Sequence, residues 1–233
     1  MAKTTKLGAR FLPWSISRLK DFERCPLYAY EVHVLRHRDQ KPSPAAERGT
    51  RIHGEAEAYV KADRAPRALA PELAPHKARL QELRRATARF TELKFGLTSM
   101  WESCGFNAPE TWARGAYDVV ALTAEGVRVV DHKTGRRYPE HLDQLRFYAV
   151  AALVWQPKAP RVVAEAWYID EPPSAPALRH ELTRDRLVLE MAHFEERAAR
   201  MSTLRKIEAT PNARCRWCHL NRANGGACDA GVS

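Results

Sequence analysis

The residues with the plainest chemistry lie between Gly115 and Gly135. Asp118 sits on one apolar run, and the next run closes on Asp131-His132-Lys133-Thr134-Gly135. Strand alternation sends Asp131 and Lys133 to one face and His132 to the other. Two carboxylates and an amine at a sheet edge desolvate and repel one another unless a cation joins them. A divalent ion that also binds phosphate oxygen does so. The pattern therefore points to metal-dependent phosphodiester hydrolysis. Asp118 and Asp131 would bind one or two Mg2+ or Mn2+ ions, and the backbone carbonyl of His132 would add a ligand. Lys133 would orient water and stabilise the transition state. An isolated Asp-x-Lys more often just neutralises itself beside a hairpin. Here Val127, Val129 and Val130 lead straight into the pair, so its charges meet little water and need partners.

Several elements must hold these side chains. Strands are predicted at about 113–122 and 127–133, joined by a Glu125-Gly126 turn, with others at Leu93–Leu97, Arg161–Ile169 and Leu178–Leu182. A helix over Ala45–Ala62 carries His53, and a basic helix is expected over His76–Phe90. Pro139 opens a helix to Trp155 that sets Gln144 and Tyr148, four residues apart, on one face. A charged helix follows from Asp185 to Lys206, while Asp39–Pro44 and Arg64–Pro75 read as a loop and a connector. The order helix, three strands, helix, strand predicts an α/β fold with a mixed sheet flanked by helices.

Asp118 with Asp131-His132-Lys133-Thr134-Gly135 resembles the PD-(D/E)XK nuclease superfamily, in particular its RecB-like branch. Ser15-Ile16-Ser17-Arg18-Leu19 with Phe22 and Cys25-Pro26 is similar to that branch's amino-terminal motif. Gly49-Thr50-Arg51-Ile52-His53 is similar to its Gly-x-x-x-His motif, and Gln144 with Tyr148 to its Gln-x-x-x-Tyr motif. The resemblance implies a restriction-endonuclease-like core at about 45–182 within a single domain spanning 1–233. It implies metal ligation by His53, Asp118 and Asp131, and catalytic work by Asp118, Asp131, Lys133, Gln144 and Tyr148. The implied activity is a Mg2+- or Mn2+-dependent DNA exonuclease acting on single-stranded or end-processed DNA, with a helicase or recombination protein as partner. The alternatives are a structure-selective endonuclease and a nuclease-inactive DNA-binding subunit. Glu92 resembles an accessory acidic residue of some relatives and is left outside the expected ligand set.

Cys215-Arg-Trp-Cys218 and Cys228 offer three thiolates to a metal ion or cluster. By the same resemblance Cys25 is the fourth. The implied cofactor is a [4Fe-4S] cluster tying about 15–30 to 207–230, with Zn2+ as the alternative and His219 or His193 as substitute ligands. Cys104, near Trp101 and Phe106, reads as an idle thiol.

Composition bounds the rest. The 233 residues are 45% hydrophobic with a net charge of +10, which suits a folded domain and favours a polyanionic partner. The longest apolar run, Phe147–Trp155, is far too short for a membrane span. The first ten residues lack the apolar stretch of a signal peptide, so a cytoplasmic protein without structural disulfides is expected. Arg136 and Arg137, directly after the catalytic strand, are the expected DNA-binding pair. The arginines of residues 76–94 would make a basic face, and Trp112 and Tyr138 are placed to stack on bases.

Overall fold

A computed structural model describes residues 7–37, 43–62 and 69–230. The chain divides into two compact units, one formed by 42–192 and the other by 1–41 together with 193–233. Of the proposed loop at Asp39–Pro44, residues 39–42 lie outside the described residues, and of the connector at Arg64–Pro75, residues 64–68 do; the rest of the connector turns at 71–73 and enters a short helical turn, Ala74–His76.

In the first unit, apolar strands build one six-stranded sheet in the order β2-β1-β3-β4-β5-β6. The strands are β1 (Ala88–Leu97), β2 (Ser103–Cys104), β3 (Ala113–Thr123), β4 (Gly126–Lys133), β5 (Arg161–Tyr168) and β6 (Leu178–Thr183). β4 and β5 run parallel and every other neighbouring pair is antiparallel. A parallel pair needs a crossover, and α5 (Glu140–Trp155) supplies it. The expected mixed sheet flanked by helices is present.

Two layers cover the sheet. On one face, α3 (Pro44–Lys61) and α4 (Lys77–Arg84) bury Ile52, Ala56, Tyr59, Leu80 and Leu83 against Val119, Val130 and Trp167. On the other, Phe147 and Tyr148 of α5 meet Phe95, and Tyr148 also meets Tyr117. Gly126 turns the β3–β4 hairpin at φ +138°, where an added Cβ would lie 2.3 Å from the carbonyl of Arg161.

The basic helix expected to reach Phe90 stops at Arg84, and β1 begins at Ala88. The residues from Ala88 on are taken by the ladder with β3, which pairs Ala88 with Leu122, and two arginines fasten this corner. Arg84 donates to the carbonyl of Tyr59, and Arg89 donates to those of Val60 and Arg84. Arg79 donates to the Ala175 carbonyl and lies over the Trp167 ring. These guanidiniums are spent on the protein's own backbone, so the basic face expected there is largely absorbed into the fold.

In the second unit, Ser15 caps α1 (Ile16–Arg24), accepting from the backbone N–H of Arg18. Cys25 ends α1 and caps α2 (Pro26–Ala29), which continues as a wider helical turn over Tyr30–Val34. The stretch 26–34 is therefore helical throughout. Trp14 and α1 meet α6 (Leu187–Ser202), which begins in the first unit. Trp14 stacks on Phe194, and buried Arg197 grips Glu23 with two bonds of 2.7 Å. The backbone N–H of Leu27 donates to Glu208, which docks the carboxy-terminal tail along α2.

His76 is buried between α4 and the sheet, with its Nε2 3.1 Å from the carbonyl of Ile169. Burial lowers its pKa below the ordinary histidine value. The unfolded chain therefore binds a proton there at a pH where the native protein does not, so stability falls as pH drops below about 6.5. His76→Gln, which keeps an Nε-type donor, should flatten part of the loss of Tm between pH 7 and pH 5.

Candidate active site

The site forms where the sheet opens. β3 and β4 pair from Thr123↔Gly126 up to Val119↔Val130, and the ladder ends one residue short of Asp118 and Asp131. Beyond that point the backbone N–H of His132 donates to Oδ2 of Asp118 at 2.7 Å. A side-chain carboxylate has replaced the next backbone acceptor.

The same position is irregular on the other edge of β3. β1 and β3 pair through Thr91↔Val119 and Leu93↔Tyr117, with no pair between Glu92 and Asp118. Glu92 has φ +48°, rare for a residue with a side chain. Val119 packs among Ile52 and Tyr59, whereas Tyr117, two residues earlier, lies against Tyr148 of α5. In a regular strand they would share a face. The switch occurs at Asp118 and turns it towards α3.

Helix α3 brings His53 to this gap. Its Nδ1 is 3.2 Å from Oδ2 of Asp118. One ligand atom each from His53, Glu92 and Asp118 lie within 4.8 Å of one another. They line a cavity of about 550 Å3 with Gly49, Thr50, Gly54 and Glu57. The donor set, one imidazole nitrogen and two carboxylates open to solvent, fits Mg2+ or Mn2+, which favour oxygen and keep bound water. Asp118 raises the pKa of His53 through their hydrogen bond. Burial would raise the pKa of Asp118, but the hydrogen bond from His53 and the neighbouring His132 leave it lowered.

Asp131, Lys133, Gln144 and Tyr148 form a second group on the α5 side. Lys133 Nζ lies 2.6 Å from Oδ2 of Asp131 and donates to Oε1 of Gln144 at 2.9 Å. Gln144 Nε2 donates to Oδ1 of Asp131 and to the Tyr148 hydroxyl, both at 3.0 Å. Burial pushes the carboxyl of Asp131 up to about 6, against the pull of Lys133. Burial also takes His132 down to about 4, which keeps the ring neutral beside Asp118. The side chain of His132 faces His53 and Trp167, away from Lys133, as alternation predicts.

Two contacts fix the loop that follows β4. Asp170 pairs with both terminal nitrogens of Arg48 and accepts the N–H of Gly135 at 2.6 Å. Gly135 has φ +88°, and a Cβ on Gly49 would sit 3.2 Å from Thr134 Oγ1. The glycine four residues before His53 thus lets α3 pass close to the loop.

Sequence reasoning omitted Glu92 from the ligand set. Its signal was the register, since a continuous β1–β3 ladder sets Glu92 opposite Asp118. Of the two expected DNA-binding arginines, Arg136 is exposed, whereas Arg137 pairs with Glu171, donates to the Pro176 carbonyl and lies over the Tyr168 ring.

The sulfurs lie in the other unit. Cys25, Cys215, Cys218 and Cys228 line one cavity of about 180 Å3 with Tyr28, Trp217 and Asn221. Backbone bonds bring the last cysteine back, because Cys228 donates to Leu220 at 2.7 Å and accepts from Arg222 at 3.0 Å. Among the described residues no three of these sulfurs lie within 4.8 Å of one another. Cys104 is half-buried, with Sγ 3.6 Å from the Thr111 hydroxyl.

The family model of the PD-(D/E)XK nuclease superfamily matches residues 13–223. The chain belongs to this superfamily. The fold of this nuclease-superfamily member is also similar to a protein from Eubacterium rectale designated an inferred exonuclease, at 12% identity and a TM-score of 0.53. That match covers 96% of this chain and 92% of the other. Two further solved structures match less well. SSO0001 has 14% identity and a TM-score of 0.45, covering 94% and 87% of the two chains. The exonuclease LHK-Exo of Laribacter hongkongensis, in complex with dAMP, has 14% identity and a TM-score of 0.39, covering 83% and 92%. No curated protein matches the sequence. No described helix is long and apolar enough to cross a membrane.

If Glu92 is a ligand, its loss must weaken cation binding independently of turnover. Calorimetric titration with Mn2+ should give at least about a tenfold weaker Kd for Glu92→Gln, the scale set even by outer ligand partners. An unchanged Kd would remove Glu92 from the site.

Proposed function

We propose that this protein is a divalent-metal-dependent deoxyribonuclease acting as an exonuclease on single-stranded or end-processed DNA. The carrying observation is the junction of two groups across one strand gap: His53, Glu92 and Asp118 on one side, and Asp131 held between Lys133 and Gln144 on the other. His53, Glu92 and Asp118, with Asp131 and the His132 carbonyl, would hold Mg2+ or Mn2+. Such an ion offsets charge on the phosphate and acidifies its bound water.

The protein's own groups have separable tasks. Lys133, partly buried with its charge held by Asp131, would stabilise negative charge growing on phosphate oxygen. Gln144 fixes both partners through its amide and is itself fixed by Tyr148. Gln144 and Tyr148 thus act as positioning residues for the carboxylate and the amine. Arg136 offers an exposed phosphate contact after the catalytic strand. The exonuclease preference, and a helicase or recombination protein as partner, rest on the RecB-like motifs alone.

The four-cysteine cavity supports a bound [4Fe-4S] cluster. A tetrahedral zinc ion at about 2.3 Å from each thiolate draws its sulfurs to roughly 3.8 Å apart. The four thiols lining one cavity could equally reach such an ion, and the preference for a cluster rests on the likeness of Cys25, Cys215, Cys218 and Cys228 to the cysteines of RecB-like relatives.

With Mn2+ and end-labelled linear DNA, the protein should release nucleotides, and Lys133→Ala should lower kcat by about 10²–10³-fold. Covalently closed single-stranded circles should survive. Cleavage persisting in Lys133→Ala would overturn the site, and nicked circles would favour the structure-selective endonuclease.

The cysteine reading has its own outcome. Anaerobically purified protein should be brown, and Cys218→Ala should lose colour and Tm together. Colourless protein with one zinc per chain would overturn it.

A further inference from the structure

The excess positive charge is distributed unevenly. Residues 42–192 carry 22 Lys and Arg against 20 Asp and Glu, a net of +2. Residues 1–41 and 193–233 carry 16 against 8, a net of +8 on barely half as many residues. The polyanion-attracting unit is therefore the one that holds the cysteines, not the one that holds the active-site carboxylates.

Within that unit one side chain is conspicuously placed. Trp217 is 71% exposed, although a tryptophan costs much hydration free energy when left in water. The guanidinium of Arg216 lies 4.5 Å from its ring centroid. Both belong to a short turn, Ala213–Trp217, whose ends are pinned. Asn212 caps it, Cys218 donates to the Cys215 carbonyl, and Asn224 donates to the carbonyls of Arg216 and Cys218. Arg214, on the same turn, is also exposed. A stiff loop that presents an aromatic face beside cationic groups has little entropy left to lose on binding.

We propose that Trp217 and Arg216 form a base-stacking finger for a single nucleic-acid strand, the indole stacking on an unpaired base and the guanidinium meeting the adjoining phosphate. This deepens the nuclease reading and rests on it for the identity of the strand. Charge complementarity selects a polyanion. The flat exposed indole selects one whose base faces are accessible, which a duplex hides inside its stack. Anionic lipid also attracts tryptophan and arginine. An interfacial anchor uses an extended apolar face, however, whereas the turn carries exposed Arg214 and Arg216 and the capping Asn212.

Fluorescence anisotropy of a labelled oligothymidylate with the full-length protein in EDTA tests this without turnover. Trp217→Ala should weaken binding roughly ten- to a hundredfold, and Trp217→Phe should recover most of that. Arg216→Ala should reduce the salt slope by about 0.7, the value for one phosphate contact on a single strand. An abasic strand of equal length should bind the native protein and Trp217→Ala alike. Equal oligothymidylate affinity for the native protein and Trp217→Ala overturns the proposal. So does an equal loss on the abasic strand, or a loss confined to anionic phospholipid vesicles. Trp217-dependent binding without Mn2+-driven cleavage would sink the nuclease reading alone. Cleavage with binding indifferent to Trp217 would sink the finger alone.

Discussion

The arrangement depends on one hydrogen bond, from the backbone N–H of His132 to the carboxylate of Asp118. Where two antiparallel strands part, each buried backbone donor needs a new acceptor or costs free energy. Asp118 supplies it, and the strands can diverge without an orphaned amide. The divergence makes room for α3 to bring His53 in, and the bond aims the Asp118 side chain at that helix. The kink at Glu92 completes the opening from the other edge of β3. One carboxylate thus both closes the backbone account and faces the cavity in which a cation would sit.

The charges beyond the gap are kept in place by neutral groups. Asp131 is almost fully buried, and its ionised form would be costly without Lys133. A bare ion pair has little angular preference, but an amide has a definite one. Gln144 gives its oxygen to the amine and its hydrogens to the carboxylate and the tyrosine, so the pair has one orientation. That orientation originates on α5, the crossover that parallel β4 and β5 require, so topology and chemistry share an element.

Much of this was legible in the residues. Strand alternation correctly separated Lys133 from His132, valine runs marked the buried strands, and a four-residue spacing paired Gln144 with Tyr148 on one helical face. What escaped was whatever depended on a break in regularity. Glu92 looked like a lone acid because nothing local announces a left-handed backbone at a glutamate. The helix expected to reach Phe90 ended early because the residues from Ala88 on pair with β3, and such long-range contacts leave no periodic trace. For the same reason the arginine-rich segment suggested a binding face where the folded chain consumes much of it, and the uneven charge is hidden in the sequence because the basic unit joins 1–41 with 193–233.

The discontinuity of the cysteine-bearing unit also orders events during synthesis. Residues 42–192 form a continuous stretch and can collapse as soon as they leave the ribosome. Their amino-terminal neighbours are made first but must wait, because Glu23 has no Arg197 until 174 further residues have been made, and Trp14 likewise waits for Phe194. The first helix is thus an early product and a late folder, exposing apolar side chains until α6 has emerged.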